Sequence, residues 1–170
     1  HLKKQVVTCR CVQPIPAIRN SVPFETEAEN RWEEHFSTHK ESAAAVRHAV
    51  RAMIGAAKRR ENLAERQEVH REIAWLIEAA LRHDQLQTWM YEGLALAWVS
   101  SGAEASFVDE RMLSVAERNS GEPEVLFHIA TVLSRLNHNG AAIQLFQDAA
   151  TLDPSMREAY ITVIVLAAQQ

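Results

Sequence analysis

His35 and His39 lie four residues apart, next to Glu34. On a helix that spacing puts two imidazoles on one face, the arrangement a divalent transition metal takes. Ser37 and Thr38 between them read as a helix end, and no third ligand follows, so no metal is expected. His48, His70, His83, His128 and His138 are scattered and suit surface or hydrogen-bonded core positions. Cys9 and Cys11 are the only cysteines. Two thiols one residue apart form neither a disulfide framework nor a complete zinc site, and they read as free thiols. The chain has no Gly-rich phosphate loop and no Gly-x-Ser-x-Gly nucleophile elbow, and no Cys–His pair can be placed by spacing. The expectation is a protein that is not an enzyme and holds no cofactor.

The charged residues point the same way. Arg47, Arg51, Lys58, Arg59, Arg60, Arg66 and Arg71 form a basic stretch of the kind that could meet phosphates. Glu61, Glu65, Glu68 and Glu72 interleave with it, and i, i+4 pairing on a solvated face accounts for both. The formal net charge is −4, whereas a nucleic-acid-binding domain is usually basic. No nucleic acid is therefore expected as partner. No run of apolar residues reaches the 18 or more of a membrane span.

These side chains must be positioned by helices. Apolar residues make up 47% of the chain, while Gly and Pro number five each. Ala, Leu, Glu, Arg and Gln, all good helix formers, are abundant. Pro14, Pro16 and Pro23 break residues 1–25 into an irregular arm, because proline fixes φ and lacks an N–H. Helices are expected over residues 26–87. Thr26 is a candidate N-cap for a short helix ending near Phe36. From Glu41 to Arg60, Ala45, Val46, Ala49, Val50, Met53, Ile54 and Ala57 recur at three-and-four spacing, one helix face. A longer helix runs from Glu61 to about His83, with Leu63, Val69, Ile73, Leu76, Ile77, Ala80 and Leu81 inward.

Further on, Thr88–Ser100 ends at Ser101-Gly102, a C-cap glycine. Glu104–Arg118 follows, and Asn119-Ser120-Gly121 turns the chain. Pro123 then starts the next helix, where its missing N–H is harmless. That helix runs to Leu136. Another extends from about Gly140 to Leu152, stopped by Asp153-Pro154. A last helix opens near Arg157 and continues to Gln170.

Internal repetition organises this part. With Trp98 laid over Leu133, Leu94-Ala95 matches Ile129-Ala130 and Gly102 falls near Asn137, an offset of 35 residues. Leu126-Phe127 over Tyr160-Ile161 and Ile129-Ala130 over Val163-Ile164 give an offset of 34 residues. A helix pair repeating at about 34 residues is the tetratricopeptide period. Residues 123–156 resemble that family in detail. Leu126, Ile129, Ala130 and Leu133 stand at the large, leucine, small and aromatic positions of its first helix. Ala142, Phe146 and Ala149 stand at the alanine, aromatic and alanine positions of its second, and Leu152-Asp153-Pro154 matches its closing turn. Residues 88–122 are a degenerate copy in which Trp98 and Gly102 fit, while Phe107, Ser114 and the missing proline depart. Residues 157–170 resemble a first helix without its partner, and 41–87 are compatible with an earlier, lengthened pair.

The resemblance implies an all-α fold, a right-handed superhelical array of antiparallel helix pairs, with repeats at 88–122, 123–156 and a partial 157–170. It also implies an interaction scaffold whose first helices line a concave groove that takes a peptide or helix of a partner protein. The groove residues would be Trp89, Glu92, Leu96, Phe127, Thr131, Arg135 and Glu158. Exposed aromatics and arginine are typical interface anchors; the bland reading is that Trp89 and Phe127 pack between repeats. Glu92, Leu96 and Thr131 stand where carboxylate-clamping relatives carry Lys and Asn, which argues against such a clamp. The alternative is a helical regulatory or accessory domain of a larger enzyme or transport assembly. The last helix is apolar nearly all round, unlike the polar cap that ends a repeat array. The array is expected to continue past Gln170, or else residues 157–170 mediate self-association.

Overall fold

The computed structural model describes residues 24–83 and 85–168. Among the described residues the elements are α1 (Phe24–Thr38), α2 (Ala43–Lys58), α3 (Leu63–Arg82), α4 (Thr88–Ser100), α5 (Ala105–Arg118), α6 (Pro123–Arg135), α7 (Asn139–Leu152) and α8 (Arg157–Ala167), with no strand. The fold is all-α. The first helices α4, α6 and α8 start 35 and 34 residues apart, and the second helices α5 and α7 start 34 apart. The 34-residue period read from side-chain identities is therefore the period of the backbone. The pair α2/α3 precedes them, and its α3 is 20 residues long against 14 in α5 and α7.

Within each pair the helices run antiparallel. Phe127 near the start of α6 meets Phe146 in the later half of α7, with ring centroids 5.2 Å apart. Trp98 near the end of α4 meets Phe107 at the start of α5. Alanine permits the close approach. Ala95, Ala130, Ala142 and Ala149 are all fully buried where helices cross. Around them Leu126, Ile129, Leu133, Leu145 and Phe146 leave water, each contributing roughly 1.5–3 kcal/mol by burial.

Successive pairs stack first helix on first helix and second on second, as α4 packs on α6 and α5 on α7. His138 at the start of α7 reaches back to Asp109 in α5, with Nδ1 2.7 Å from Oδ1. Trp98 is held between layers: its ring meets Trp75 of α3 edge-on at 4.9 Å and Phe107 of α5 at 4.9 Å. The departure of Phe107 from the family pattern is thus absorbed as an aromatic contact on the repeat's own tryptophan.

The turns inside two pairs are built alike. Gly102 has φ of 76° and Asn137 has φ of 64°. Ala103 N–H donates to the Trp98 carbonyl and Gly102 N–H to that of Val99. His138 N–H donates to Leu133 and Asn137 N–H to Ser134 in the same way. Both are Schellman closures, which need a left-handed residue. Glycine adopts that conformation without cost, and asparagine does so more readily than most residues. After α7, the Asp153 carboxylate accepts from Ser155 N–H and Oγ at 2.9 and 2.6 Å. These bonds hold its pKa below the usual aspartate value.

The sequence-based boundaries shift at several places: α1 runs through Thr38, so Ser37 and Thr38 lie inside it, and α2 spans Ala43–Lys58 rather than Glu41–Arg60. Thr26 lies inside α1, which begins at Phe24, so it is not the cap. Phe24 and Glu25 therefore leave the irregular arm; residues 1–23, with Cys9 and Cys11, lie outside the described residues. Helix extension from Thr26 toward the N-terminus meets no steric block before Pro23, a residue that the first turn of a helix tolerates. The start of α3, which no Gly or Pro marks, is set by Asn62, whose side-chain oxygen accepts from Ala64 N–H at 2.9 Å. Ser42 caps α2 through Ala45 N–H. Finally, α8 ends at Ala167.

The turn geometry yields a direct expectation. Gly102→Val puts a β-branched residue at positive φ, at a cost of roughly 1–2 kcal/mol, whereas Asn137→Gly relieves the same constraint and leaves stability equal or slightly higher. Urea unfolding followed by circular dichroism measures both; equal losses in the two variants would refute the shared closure.

Candidate interaction face

Three of the expected groove residues, Trp89, Glu92 and Leu96, recur at i, i+3 and i+7 and share one face of α4. Phe127, Thr131 and Arg135 recur at i, i+4 and i+8 on α6. The two faces adjoin, because α4 and α6 lie side by side and run in the same sense. Thr88 and Tyr91 early in α4 meet His128: the His128 Nε2 is 3.2 Å from the Thr88 carbonyl, and the Tyr91 and His128 rings lie 6.0 Å apart. Farther along, Arg135 reaches Glu92 at 3.1 Å. Burial raises the pKa of Tyr91, so its phenol stays neutral.

Exposure separates these residues. Leu96 is 45% exposed and Val99, next on the same helix, 41%. Trp89 and Phe127 are half-buried: Trp89 lies beside the backbone at Gly93, and Phe127 stacks edge-on against Phe146. Each therefore serves the core and also shows an edge to water. The Thr131 hydroxyl is turned inward, donating to the Phe127 carbonyl at 2.8 Å. Glu158 stands exposed in the first turn of α8, and among the described residues no side-chain hydrogen bond or ion pair joins it to the α4–α6 face. The fold thus brings six of the seven residues together.

One neighbour of these faces was not legible as such. The guanidinium of Arg47, on α2, lies 5.8 Å from the centroid of the Trp89 ring. Its place in a basic stretch suggested a solvated face. The offset from α2 to α4 departs from the 34-residue period, so no alignment of repeats could bring Arg47 opposite Trp89.

The rings of His35 and His39 have other neighbours. They stack at 4.8 Å, His39 Nδ1 lies 2.8 Å from Thr38 Oγ1, and His35 Nε2 lies 3.3 Å from Glu41. Among the described residues no group of three or more His, Cys, Asp or Glu is arranged to hold a metal ion. No described helix is long and apolar enough to cross a membrane.

On the opposite row, a buried charge cluster fastens the second helices together. Glu78 of α3 is 0% exposed. Its carboxylate accepts from Arg111 of α5 through Nε at 3.2 Å and through Nη2, and from Arg82 Nη2 at 3.1 Å. Arg82 also donates to Glu29 and Glu33 of α1 at 2.7 and 3.0 Å. Burial works against the Arg82 charge, and the hydrogen bonds to Glu29 and Glu78 outweigh it, so its pKa is raised. The Arg111 guanidinium also lies over Trp75 at 4.9 Å. Every charged member has an opposite charge within reach, as a buried network requires. A glutamate inside the apolar run Trp75–Leu81 was the signal for it in the sequence.

Helix pairs at a 34-residue period, stacked like on like and closed by matched turns, define the class: this is a TPR-like helical repeat protein. No family model and no curated protein matches the chain. Among solved structures it is similar to YrrB, described as a TPR protein with an unusual peptide-binding site, at 16% identity and a TM-score of 0.40, covering 85% of this chain and 69% of that one. It is also similar to MamA, at 16% identity and a TM-score of 0.38, covering 85% of this chain and 81% of that one.

The buried network makes its own prediction. Arg111→Met leaves Glu78 one cation short and is expected to destabilise by about 3 kcal/mol, while adding Glu78→Leu recovers much of that loss. Chemical denaturation of the single and double variants measures it; additive losses would contradict the coupling.

Proposed function

We propose that the chain is a non-catalytic interaction scaffold and that the adjoining faces of α4 and α6 take a peptide or helix of a partner protein. The observation that carries this reading is the juxtaposition of exposed Leu96 and Val99 with the half-exposed edges of Trp89 and Phe127. A strip of apolar edges rimmed by an exposed ion pair, Glu92–Arg135, has the anatomy of an interface core and its polar rim. Six of the seven expected residues, Trp89, Glu92, Leu96, Phe127, Thr131 and Arg135, belong to this face in the proposal, and Glu158 extends it onto α8. Because the face is preformed on packed helices, a ligand incurs little ordering cost on the protein side.

The test is selection of partners from native extract with the intact protein and with Trp89→Ala and Phe127→Ala. Buried aromatic anchors dominate such interfaces, so each variant is expected to weaken capture by on the order of tenfold or more while helicity persists. Unchanged recovery with both variants would place the binding face elsewhere.

A second reading is favoured by one observation. Tyr160, Ile161, Ile164 and Val165 of α8 are between 48% and 69% exposed. Equivalent positions of α6 include Leu126 and Ala130, which α7 covers. In this reading α8 docks on other protein, either a second copy or a neighbouring domain of a larger assembly. Light scattering of the purified chain is expected to show concentration-dependent association that Ile161→Glu with Ile164→Glu abolishes. A monomer at all concentrations would remove self-association.

A further inference from the structure

The exposed side of α2 carries charge of one sign. The helix contains Arg47, His48, Arg51 and Lys58 and no Asp or Glu. At about 100° per residue, Arg47, Arg51 and Lys58 fall within about 40° of one another, along roughly 16 Å of helix axis. All three are exposed. Of the four glutamates expected to balance them, two are engaged otherwise: Glu65 pairs with Arg60, and Glu72 with Arg31 and the Trp32 indole N–H. Among the described residues no ion pair reaches Arg47, Arg51 or Lys58. Residues 1–23 contain Lys3, Lys4, Arg10 and Arg19 but no Asp or Glu, so they bring no carboxylate to the stripe. Through Arg47 over Trp89, the stripe is continuous with the apolar edges of α4.

We propose that Arg47, Arg51 and Lys58 form a docking subsite for an acidic segment of a partner polypeptide, which continues onto α4 with an apolar side chain at Trp89 and Leu96. This rests on the reading of the α4–α6 face as peptide-binding and adds the chemistry of the ligand. The rise from Arg47 to Arg51 is about 6 Å, close to two residues of extended chain. Alternate carboxylates on a strand, or carboxylates at i and i+4 on a helix, therefore meet successive cations. Exposed pairs of this kind add modestly to affinity and more to steering and register. A polynucleotide fits less well. A long polyanion needs a basic track of its own length, and along the same row of first helices it meets Glu92, Glu124 and Glu158, of which Glu124 and Glu158 are exposed.

The test is selection of short random peptides displayed on phage, against the intact chain, against Arg47→Gln/Arg51→Gln/Lys58→Gln, and against Trp89→Ala. The intact chain is expected to enrich peptides with an excess of Asp and Glu beside an aliphatic or aromatic residue. A synthetic peptide from that pool should bind the triple variant roughly tenfold more weakly and should weaken as salt rises. Trp89→Ala should lose the apolar preference. Enriched peptides without acidic excess, or an excess unchanged in the triple variant, would overturn the subsite while leaving the α4–α6 groove standing. No enrichment at all would overturn the groove and the subsite together. Tighter binding of a single-stranded oligonucleotide, lost in the triple variant, would assign the stripe to nucleic acid and overturn the peptide proposal. Unchanged circular dichroism confirms that the variants fold.

Discussion

Two antiparallel helices bury only the faces they turn to each other, and the apolar remainder of each must be covered by the next pair. The rest of this structure depends on that constraint. It requires small residues where helices cross, met by Ala95, Ala130, Ala142 and Ala149. It requires turns of one shape, so that successive pairs present equivalent surfaces, met by the left-handed Gly102 and Asn137. It also leaves first helices together on one side and second helices on the other, so the two sides can carry different chemistry.

The two sides are built with different chemistry. The second-helix row is fastened by a buried carboxylate, Glu78, linking α1, α3 and α5 through Arg82 and Arg111. A charge so deep is stabilising only while its partners hold, which makes the relative placement of three helices specific. The first-helix row carries its ion pair, Glu92–Arg135, at the surface, where such pairs contribute little to stability. Rigidity on one row and accessible apolar edges on the other suit a scaffold.

The ends differ as well. At the N-terminal side the outer surface of α1 shows Glu27, Asn30, Arg31 and Glu34, all exposed and polar. At the C-terminal side α8 shows Ile161 and Ile164.

Much of this was legible from the residues. The 34-residue period, the pairing of helices, the closing Asp153-Pro154 and the glycine turn all follow from local side-chain identity, because apolar spacing and turn chemistry act over a few residues. That the six residues proposed on α4 and α6 share adjoining faces followed too, once the period was known, since equal register on parallel helices puts equal positions on one face. What remained hidden depends on contacts between elements far apart in sequence. Within the basic stretch at 47–71 Arg60 does pair with its own Glu65, but Glu72 turns to Arg31 and Arg47 meets Trp89. Glu78 declared itself only as a charge in an apolar run; its partner Arg111 lies 33 residues downstream, and the Arg82 that it also binds is shared with Glu29 on a different helix. By itself the sequence determined the repeat and the helices that make it. Tertiary structure alone decided which charges are paired and which stand free, because ion pairing depends on distances between elements that no local pattern encodes.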